Sequence, residues 1–180
     1  FGRSEWHQEK YELSNKASWR KLHVAINQDH YIEAAVLTDR YSTDDQEVEN
    51  LLEQIKSPID HFTADGAYDK TPVYNVISNH SANVNIVIPP QVNAVYDDKA
   101  AVLRNRNILE IKKAGRMEWQ RNQEYGKRNY SELGIQRDKR IIGPSLGSRE
   151  MPRQIQEAMI GCGIINKMTA LGMPQSHRSA

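Results

Sequence analysis

The chain has 180 residues, a formal net charge of +1 and one cysteine. This length suffices for one sizeable hydrophobic core, and the ordinary content of charged residues argues against wholesale disorder. No apolar run approaches the roughly 20 residues of a membrane-spanning helix. A lone Cys162 excludes an internal disulfide framework, suits a reducing cytoplasm and is predicted to be a buried packing residue.

The first part of the chain predicts a polar edge, a hairpin, a helix and a buried strand. Residues 1–18 are polar and loop-like. Apolar residues alternate over 19–27 and return over 31–37 after a short turn, which predicts a β-hairpin. An amphipathic helix is predicted over 43–55, and a short buried strand over 59–64.

The second part predicts further alternation of helices and strands. Its predicted elements are a helix over 70–79, a strand over 84–88, a loop over 91–100, and helices over 108–115, 131–142 and 152–168. A hairpin followed by alternating helices and strands predicts an α/β fold with one mixed sheet and helices on both faces. One domain is predicted, over residues 19–180.

A charged stretch over residues 125–139 has an informative spacing. It places Tyr125, Arg128 and Lys139 at offsets of −7, −4 and +7 from Glu132. At about 100° per residue, these side chains would share one narrow stripe of an α-helix. A carboxylate between two cations suits a metal ion beside a DNA phosphate, because the metal takes the carboxylate and the cations bind the phosphate oxygens. The alternative is an ordinary solvated helix face.

A second acidic motif, HFTADGAYD, covers residues 61–69. Asp65 falls at the carboxyl end of the predicted strand, where ligands bind in open α/β sheets. Gly66 would let the chain turn sharply. Asp69 is predicted to N-cap the next helix, with Pro72 inside its first turn. The alternative for Asp65 is that it only caps the turn.

Together these segments resemble the DDE transposases of bacterial insertion sequences, in the branch with the signature Tyr-x2-Arg-x3-Glu-x6-Lys. The spacing of residues 125–139 matches that signature without a gap. Other segments that resemble landmarks of the family are Glu5 to His7, Trp19 to His23, Ala64 to Asp69, Ile88 to Pro90 and Asn166 to Pro174. The resemblance implies an RNase H-like fold and cut-and-paste DNA chemistry with Mg²⁺ or Mn²⁺.

The resemblance also implies roles for individual residues. Asp65 and Glu132 would be the catalytic acids and metal ligands, and Tyr125, Arg128 and Lys139 would contact DNA. Two converging carboxylates repel each other unless cations neutralise them, and Mg²⁺ prefers such oxygen ligands. Two ions about 4 Å apart would activate water or a DNA 3′-hydroxyl. We therefore expect both carboxylates to reach one metal cluster.

The implied partner is double-stranded DNA, as terminal inverted repeats and as target, bound by a homodimer. Charge asymmetry agrees with a polyanion on one side: residues 29–69 hold eleven acids and two bases, whereas residues 101–150 hold twelve bases and six acids. Trp119 lies among basic residues. It could stack on an extruded base or pack in the core.

In proteins of this family, the first catalytic Asp lies on the first strand, upstream of the segment that matches Phe1-Gly2. We therefore expect a C-terminal fragment that lacks the first strand and this Asp, and that does not cleave DNA by itself at a useful rate. Two other readings stay open. The chain could be a non-catalytic DNA-binding remnant, or a metal-dependent nuclease of the same fold.

Overall fold

The computed structural model describes residues 19–172. In chain order their elements are β1 (Lys21–Ile26), β2 (Ile32–Thr38), α1 (Val48–Leu52), β3 (His61–Thr63), α2 (Thr71–His80), β4 (Asn85–Val87), α3 (Val102–Ala114), α4 (Arg116–Asn122), α5 (Asn129–Ile141) and α6 (Met151–Ala170). Three short 3-10 helices cover Asp44–Glu47, Gly66–Tyr68 and Tyr125–Arg128. The predicted mixed α/β class is confirmed. The polar edge predicted over residues 1–18 lies outside the described residues.

Contacts divide the chain into two compact units. The central unit comprises residues 42–129, and the terminal unit comprises the residues up to Tyr41 together with those from Tyr130 onward. Each unit has its own apolar core, and each is described separately below. Within residues 19–172, no helix is both long and apolar enough to cross a membrane.

The predicted hairpin is confirmed in the terminal unit, where β1 and β2 pair antiparallel. Its turn depends on Asn27, whose side-chain oxygen accepts hydrogen bonds from the backbone N–H groups of Asp29 at 2.9 Å and Tyr31 at 3.0 Å. An asparagine that bonds to the backbone ahead of it stabilises a turn locally. The hairpin is therefore closed by a side chain that belongs to the turn itself.

Helix α6 packs on β2 through one asparagine and a small apolar core. Asn166 accepts a hydrogen bond from Ile32 N at 2.7 Å and donates one to Ile32 O at 2.9 Å, so it supplies both bonds that a neighbouring strand would make. Ile32, Ala35, Cys162 and Ile165 are buried together. Burial raises the pKa of the Cys162 thiol to about 11, so this cysteine is an unreactive packing residue, as predicted.

Helix α5 lies close to β1 because of a glycine. A Cβ at Gly134 would lie 2.0 Å from Cδ1 of Ile26, a distance that no side chain could tolerate without movement. Arg137 of the same helix donates a hydrogen bond to Oγ1 of Thr169 in α6 at 3.0 Å. Glycine weakens an isolated helix, and here the close packing accounts for its presence.

The loop between α5 and α6 is held by polar side chains of α6. The Glu157 carboxylate accepts hydrogen bonds from the consecutive N–H groups of Gly147 at 2.7 Å and Ser148 at 2.8 Å. These backbone bonds lower the pKa of Glu157. Gln154 donates to Ser148 O at 2.9 Å and accepts from Nε of Arg20 at 2.8 Å. The loop is thereby fixed to the first turns of α6.

The single mixed sheet predicted from the sequence is not what the described strands form. They pair as two two-stranded sheets, β1 with β2 and β3 with β4. A helix side chain occupies the outer edge of β4. Nδ2 of Asn107 in α3 donates to the carbonyls of Ile86 at 3.2 Å and Ile88 at 3.5 Å. A helix side chain thus bonds to carbonyls that another strand would otherwise use.

Two predicted helices have different bounds in the structure. The helix predicted over 43–55 divides into the 3-10 helix Asp44–Glu47 and the short α1. The helix predicted over 108–115 begins earlier, as α3, at Val102. Its first turns bury Asn105 and Asn107 instead of apolar side chains, so hydrophobic periodicity does not mark them.

Helix α4 was not predicted at all. Gly115 separates it from α3 with a φ of +84°, a backbone conformation that favours glycine. The segment is mostly polar, and Trp119 is its one buried residue. A seven-residue helix with a single buried side chain gives too weak a pattern to be recognised from sequence.

Asp138 is a buried acid in α5. It is 3% exposed, and its Oδ2 has no hydrogen-bond partner among the described residues. Gly161 of α6 lies opposite, where an added Cβ would be 3.5 Å from Oδ1 of Asp138. Burial raises the pKa of this carboxyl group. The ionised form is therefore unfavourable in the folded chain.

We predict that Asp138→Asn raises the free energy of unfolding at pH 7 by about 1 kcal/mol, because it removes a buried charge that lacks a partner. Because the pKa of Asp138 is higher in the folded chain, this group favours folding most at a pH below its pKa in the unfolded chain, which is about 4. That contribution is lost as the pH rises through the pKa of the folded chain. The gain should therefore shrink toward pH 4. Urea unfolding at both pH values, with the exposed Asp29→Asn as control, measures it. A gain that grows on acidification would contradict the assignment.

Candidate functional site

Asp65 lies at the carboxyl end of β3, as predicted. Strands β3 and β4 pair in parallel, from His61 opposite Asn85 to Thr63 opposite Val87. The bond from Ala64 N to Val87 O at 3.3 Å extends this ladder to the residue before Asp65. Because parallel strands end at the same edge, the acid sits beside the segment that follows β4.

The turn that begins at Asp65 is held from two sides. Oδ1 of Asp65 accepts a hydrogen bond from Ala67 N at 2.8 Å, which caps the 3-10 helix Gly66–Tyr68. The turn-capping role is thus real, and it engages one carboxylate oxygen. Gly66 does not have a positive φ. It is needed for space, since a Cβ there would lie 3.1 Å from the carbonyl oxygen of Pro89.

The prediction that Asp69 N-caps the following helix is wrong. Lys70 occupies the N-cap position of α2, although Pro72 does lie in the first turn as predicted. The Asp69 side chain is 1% exposed and forms a two-bond ion pair with Arg104, from Nε at 2.9 Å and Nη2 at 3.0 Å. Burial and the Asp69 charge both raise the pKa of the neighbouring Tyr74 hydroxyl.

The prediction that all four signature residues share one stripe of an α-helix is wrong for the first two, Tyr125 and Arg128. Glu124 has a left-handed conformation, with φ +52°, and the next four residues, Tyr125–Arg128, form a 3-10 helix. The α-helix begins only at Asn129. A 3-10 helix turns by about 120° per residue, so the α-helical rotation of about 100° per residue does not apply to Tyr125–Arg128.

Two of the signature residues lie in the 3-10 helix and the other two lie in α5. Tyr125 and Arg128 are three residues apart in a 3-10 helix, in which such positions eclipse each other, and the guanidinium carbon lies 5.9 Å from the ring centroid. Glu132 and Lys139 are both exposed and stand two turns apart on one face of α5. Glu132 occupies the first turn, where the helix dipole favours a carboxylate.

Within the central unit, the 3-10 helix Tyr125–Arg128 contacts β3, the strand that leads to Asp65. Burial, followed by the charge of Lys127, holds the pKa of His61 in β3 below its ordinary value. The structure therefore brings a turn that bears two cations to the strand of the predicted catalytic acid. Glu132 and Lys139 belong to the terminal unit.

Trp119 packs in the core of the central unit. It is 1% exposed, and its ring centroid lies 6.3 Å from that of Tyr125. A buried indole offers no face to a nucleic-acid base, so the structure supports the core-packing alternative and not the predicted DNA contact. Trp119 lies beneath the Tyr125 turn and helps to hold it.

Asp65 and Glu132 fit a divalent metal by their chemistry, because Mg²⁺ prefers carboxylate oxygens. At Asp65, Oδ2 lies outside the bond to Ala67. Across residues 19–172, no three His, Cys, Asp or Glu side chains are grouped so that they could hold a metal ion. The assignment of Asp65 and Glu132 as metal ligands therefore rests on the chemistry of a carboxylate and on the local position of each residue.

Sequence reasoning missed Arg104, which is one of the twelve bases of residues 101–150. Its partner lies 35 positions away in the chain, and no periodicity or motif links an arginine in a helix to an acid in a distant turn. Only the folded chain identifies the pair.

In this mixed α/β fold, an acid stands at the end of a strand that a cation-bearing turn contacts, which is compatible with phosphate chemistry. The family model of the transposase DDE domain matches residues 2–166, which is most of the chain. The chain therefore belongs to the DDE transposase domain family. Membership implies an RNase H-like fold, a function in transposition, DNA binding and, in general, use of divalent metals. A search of the solved structures finds none that matches the chain.

Two of the three 3-10 helices, Gly66–Tyr68 and Tyr125–Arg128, give a matched pair of glycine substitutions. Gly66→Ala should lower the free energy of unfolding by about 1–2 kcal/mol, because its Cβ would press on the Pro89 carbonyl. Gly126→Ala should be neutral or slightly stabilising, since nothing lies within 4 Å of an added Cβ. Urea unfolding of the two variants measures the difference. Equal effects would show that the contact at Gly66 is not tight.

Proposed function

We propose that this chain belongs to the catalytic domain of a bacterial insertion-sequence transposase, in the branch with the signature Tyr-x2-Arg-x3-Glu-x6-Lys. Its substrates would be the terminal inverted repeats of the element and a target DNA, bound by a dimer. The observation that carries the proposal is Asp65, an acid fixed at the carboxyl end of β3 in a chain of the DDE family.

Asp65 and Glu132 are the proposed metal ligands, and they would hold Mg²⁺ or Mn²⁺ through their carboxylate oxygens. Such an ion, when bound, lowers the pKa of an attacking water or hydroxyl and stabilises the leaving oxygen. The bond from Ala67 N fixes the orientation of Asp65 before any ion binds. A ligand that is already oriented loses less freedom on binding.

Tyr125, Arg128 and Lys139 are the proposed contacts to the DNA backbone. A guanidinium can bond to two phosphate oxygens at once, and an ammonium adds a point charge. Lys139 is exposed near the end of α5, and Arg128 stacks near Tyr125 at the end of its turn. Both cations lie in the basic half of the sequence, which supports a phosphate partner there.

The first test measures binding of Mn²⁺ and cleavage of DNA that carries the inverted repeats flanking the gene. Asp65→Asn and Glu132→Gln should each weaken Mn²⁺ binding and abolish any cleavage, because each removes a charged oxygen ligand. The exposed Asp98→Asn should change neither. Unaltered Mn²⁺ binding in both site variants would refute the proposed ligands.

The same assay separates the alternatives. A chain that binds the repeats but never cuts them, with or without metal, would be a DNA-binding remnant. A chain that cuts DNA without regard to the repeats and never joins ends would be a nuclease. Metal-dependent nicking at the ends of the repeats, followed by joining to a target, would demonstrate the transposase reaction directly.

DNA affinity as a function of salt tests the phosphate contacts. Arg128→Ala combined with Lys139→Ala should weaken binding and flatten the plot of log affinity against log salt by roughly one to two units, at about 0.9 for each lost duplex phosphate contact. Lys56→Ala, in the acidic half, is the matched control and should leave the slope unchanged. An unchanged slope in the double variant would contradict the assignment.

A further inference from the structure

The ion pair of Asp69 and Arg104 is an enclosed charged contact of the central unit. The side chains are 1% and 16% exposed, and two parallel N–H···O bonds join them. Oδ1 of Asp69 also lies 3.4 Å from the Tyr74 hydroxyl, and Oδ2 lies 3.4 Å from Gln91 N. Both oxygens of this carboxylate are therefore engaged.

Four segments of the central unit meet at this carboxylate. Asp69 ends the turn that begins at Asp65, and Tyr74 belongs to α2, which follows that turn. Gln91 belongs to the segment after β4, and Arg104 belongs to α3. The guanidinium thus fixes the far end of the turn to the strand-end edge, while Gly66 rests against Pro89 at its near end.

The pair also distinguishes two acids that stand four residues apart. Asp65 keeps Oδ2 outside its bond to Ala67, whereas both oxygens of Asp69 are bound inside the fold. Without Arg104, Asp69 would be a buried carboxylate without a counter-charge, and the turn would rearrange to hydrate it. That movement would carry Asp65 with it and would release a competing ligand.

We propose that Arg104 is a positioning residue for the cation site at Asp65. It acts through Asp69: it holds the turn 65–69 in one conformation and keeps Asp69 out of the metal site. The inference rests on the proposed function, because it takes Asp65 to be a metal ligand. It assigns no contact between Arg104 and the metal or the DNA.

The test measures Mn²⁺ affinity by the electron paramagnetic resonance signal of free Mn²⁺, with the whole chain held below its melting temperature. Arg104→Met should weaken binding by about tenfold or more, the usual effect of losing a group that orients a metal ligand. Arg104→Lys should also bind more weakly than the wild type, because an ammonium cannot make two parallel bonds. Arg121→Met removes an exposed ion pair with Glu118 and should bind as the wild type does.

Thermal unfolding of the same variants separates positioning from plain stability. If Arg104→Met lowers the melting temperature but its folded form binds Mn²⁺ as the wild type does, the positioning role is overturned. If Arg104→Met does not fold, Arg104→Lys decides: weaker binding supports the role, and wild-type affinity overturns it. Asp65→Asn is the reference. If it binds Mn²⁺ normally, the proposed ligand is wrong and this inference falls with it. If Asp65→Asn loses Mn²⁺ affinity while both Arg104 variants bind as the wild type does, only the positioning role is overturned.

Discussion

The central unit depends on buried polar side chains that complete a very short parallel ladder. Strands β3 and β4 pair over three residues each, too few to hold an edge in place by backbone bonds alone. Asn107 bonds to carbonyls on the outer edge of β4, and the pair of Asp69 and Arg104 ties the following turns to α3. Where these side chains lie decides the position of Asp65.

In the terminal unit, too, polar side chains take the place of backbone hydrogen-bond partners. Asn166 of α6 takes both backbone bonds of Ile32, and Glu157 takes two consecutive N–H groups of the loop before α6. Side chains satisfy backbone groups that would otherwise need another strand or water. Helix α6 is therefore more than an apolar cover for the hairpin. It fixes the start of β2 and the loop that follows α5.

The two proposed metal ligands have different local supports. Asp65 stands on a turn that is capped, closely packed and pinned at its far end. Glu132 stands on the first turn of α5, a helix that Gly134 lets approach β1. The chain belongs to the DDE family, and this membership implies a function in transposition and DNA binding. In the proposed site, a rigid turn holds the metal ligand, whereas more exposed cations contact the DNA phosphates. Metal coordination tolerates less movement of its ligands than binding to the DNA backbone does.

Much of the architecture followed from the sequence alone because it depends on local patterns. Alternation predicted β1 and β2, a short apolar run predicted β3, and helical periodicity predicted α6. The position of Asp65 at a strand end and the burial of Cys162 followed in the same way. Each depends on residues within a few positions of one another, so the chain order carries the signal.

Only the tertiary structure decided the rest, because the partners are distant in the chain. Asp69 fits an N-cap by its position, yet Arg104, 35 residues later, takes its carboxylate. Trp119 stands among bases and still packs in the core. The signature spacing fits one α-helix, but its first four residues, Tyr125–Arg128, form a 3-10 helix and the α-helix begins only at Asn129. The sequence predicts which residues carry the chemistry, while long-range burial and ion pairing determined which of these side chains are enclosed in the fold.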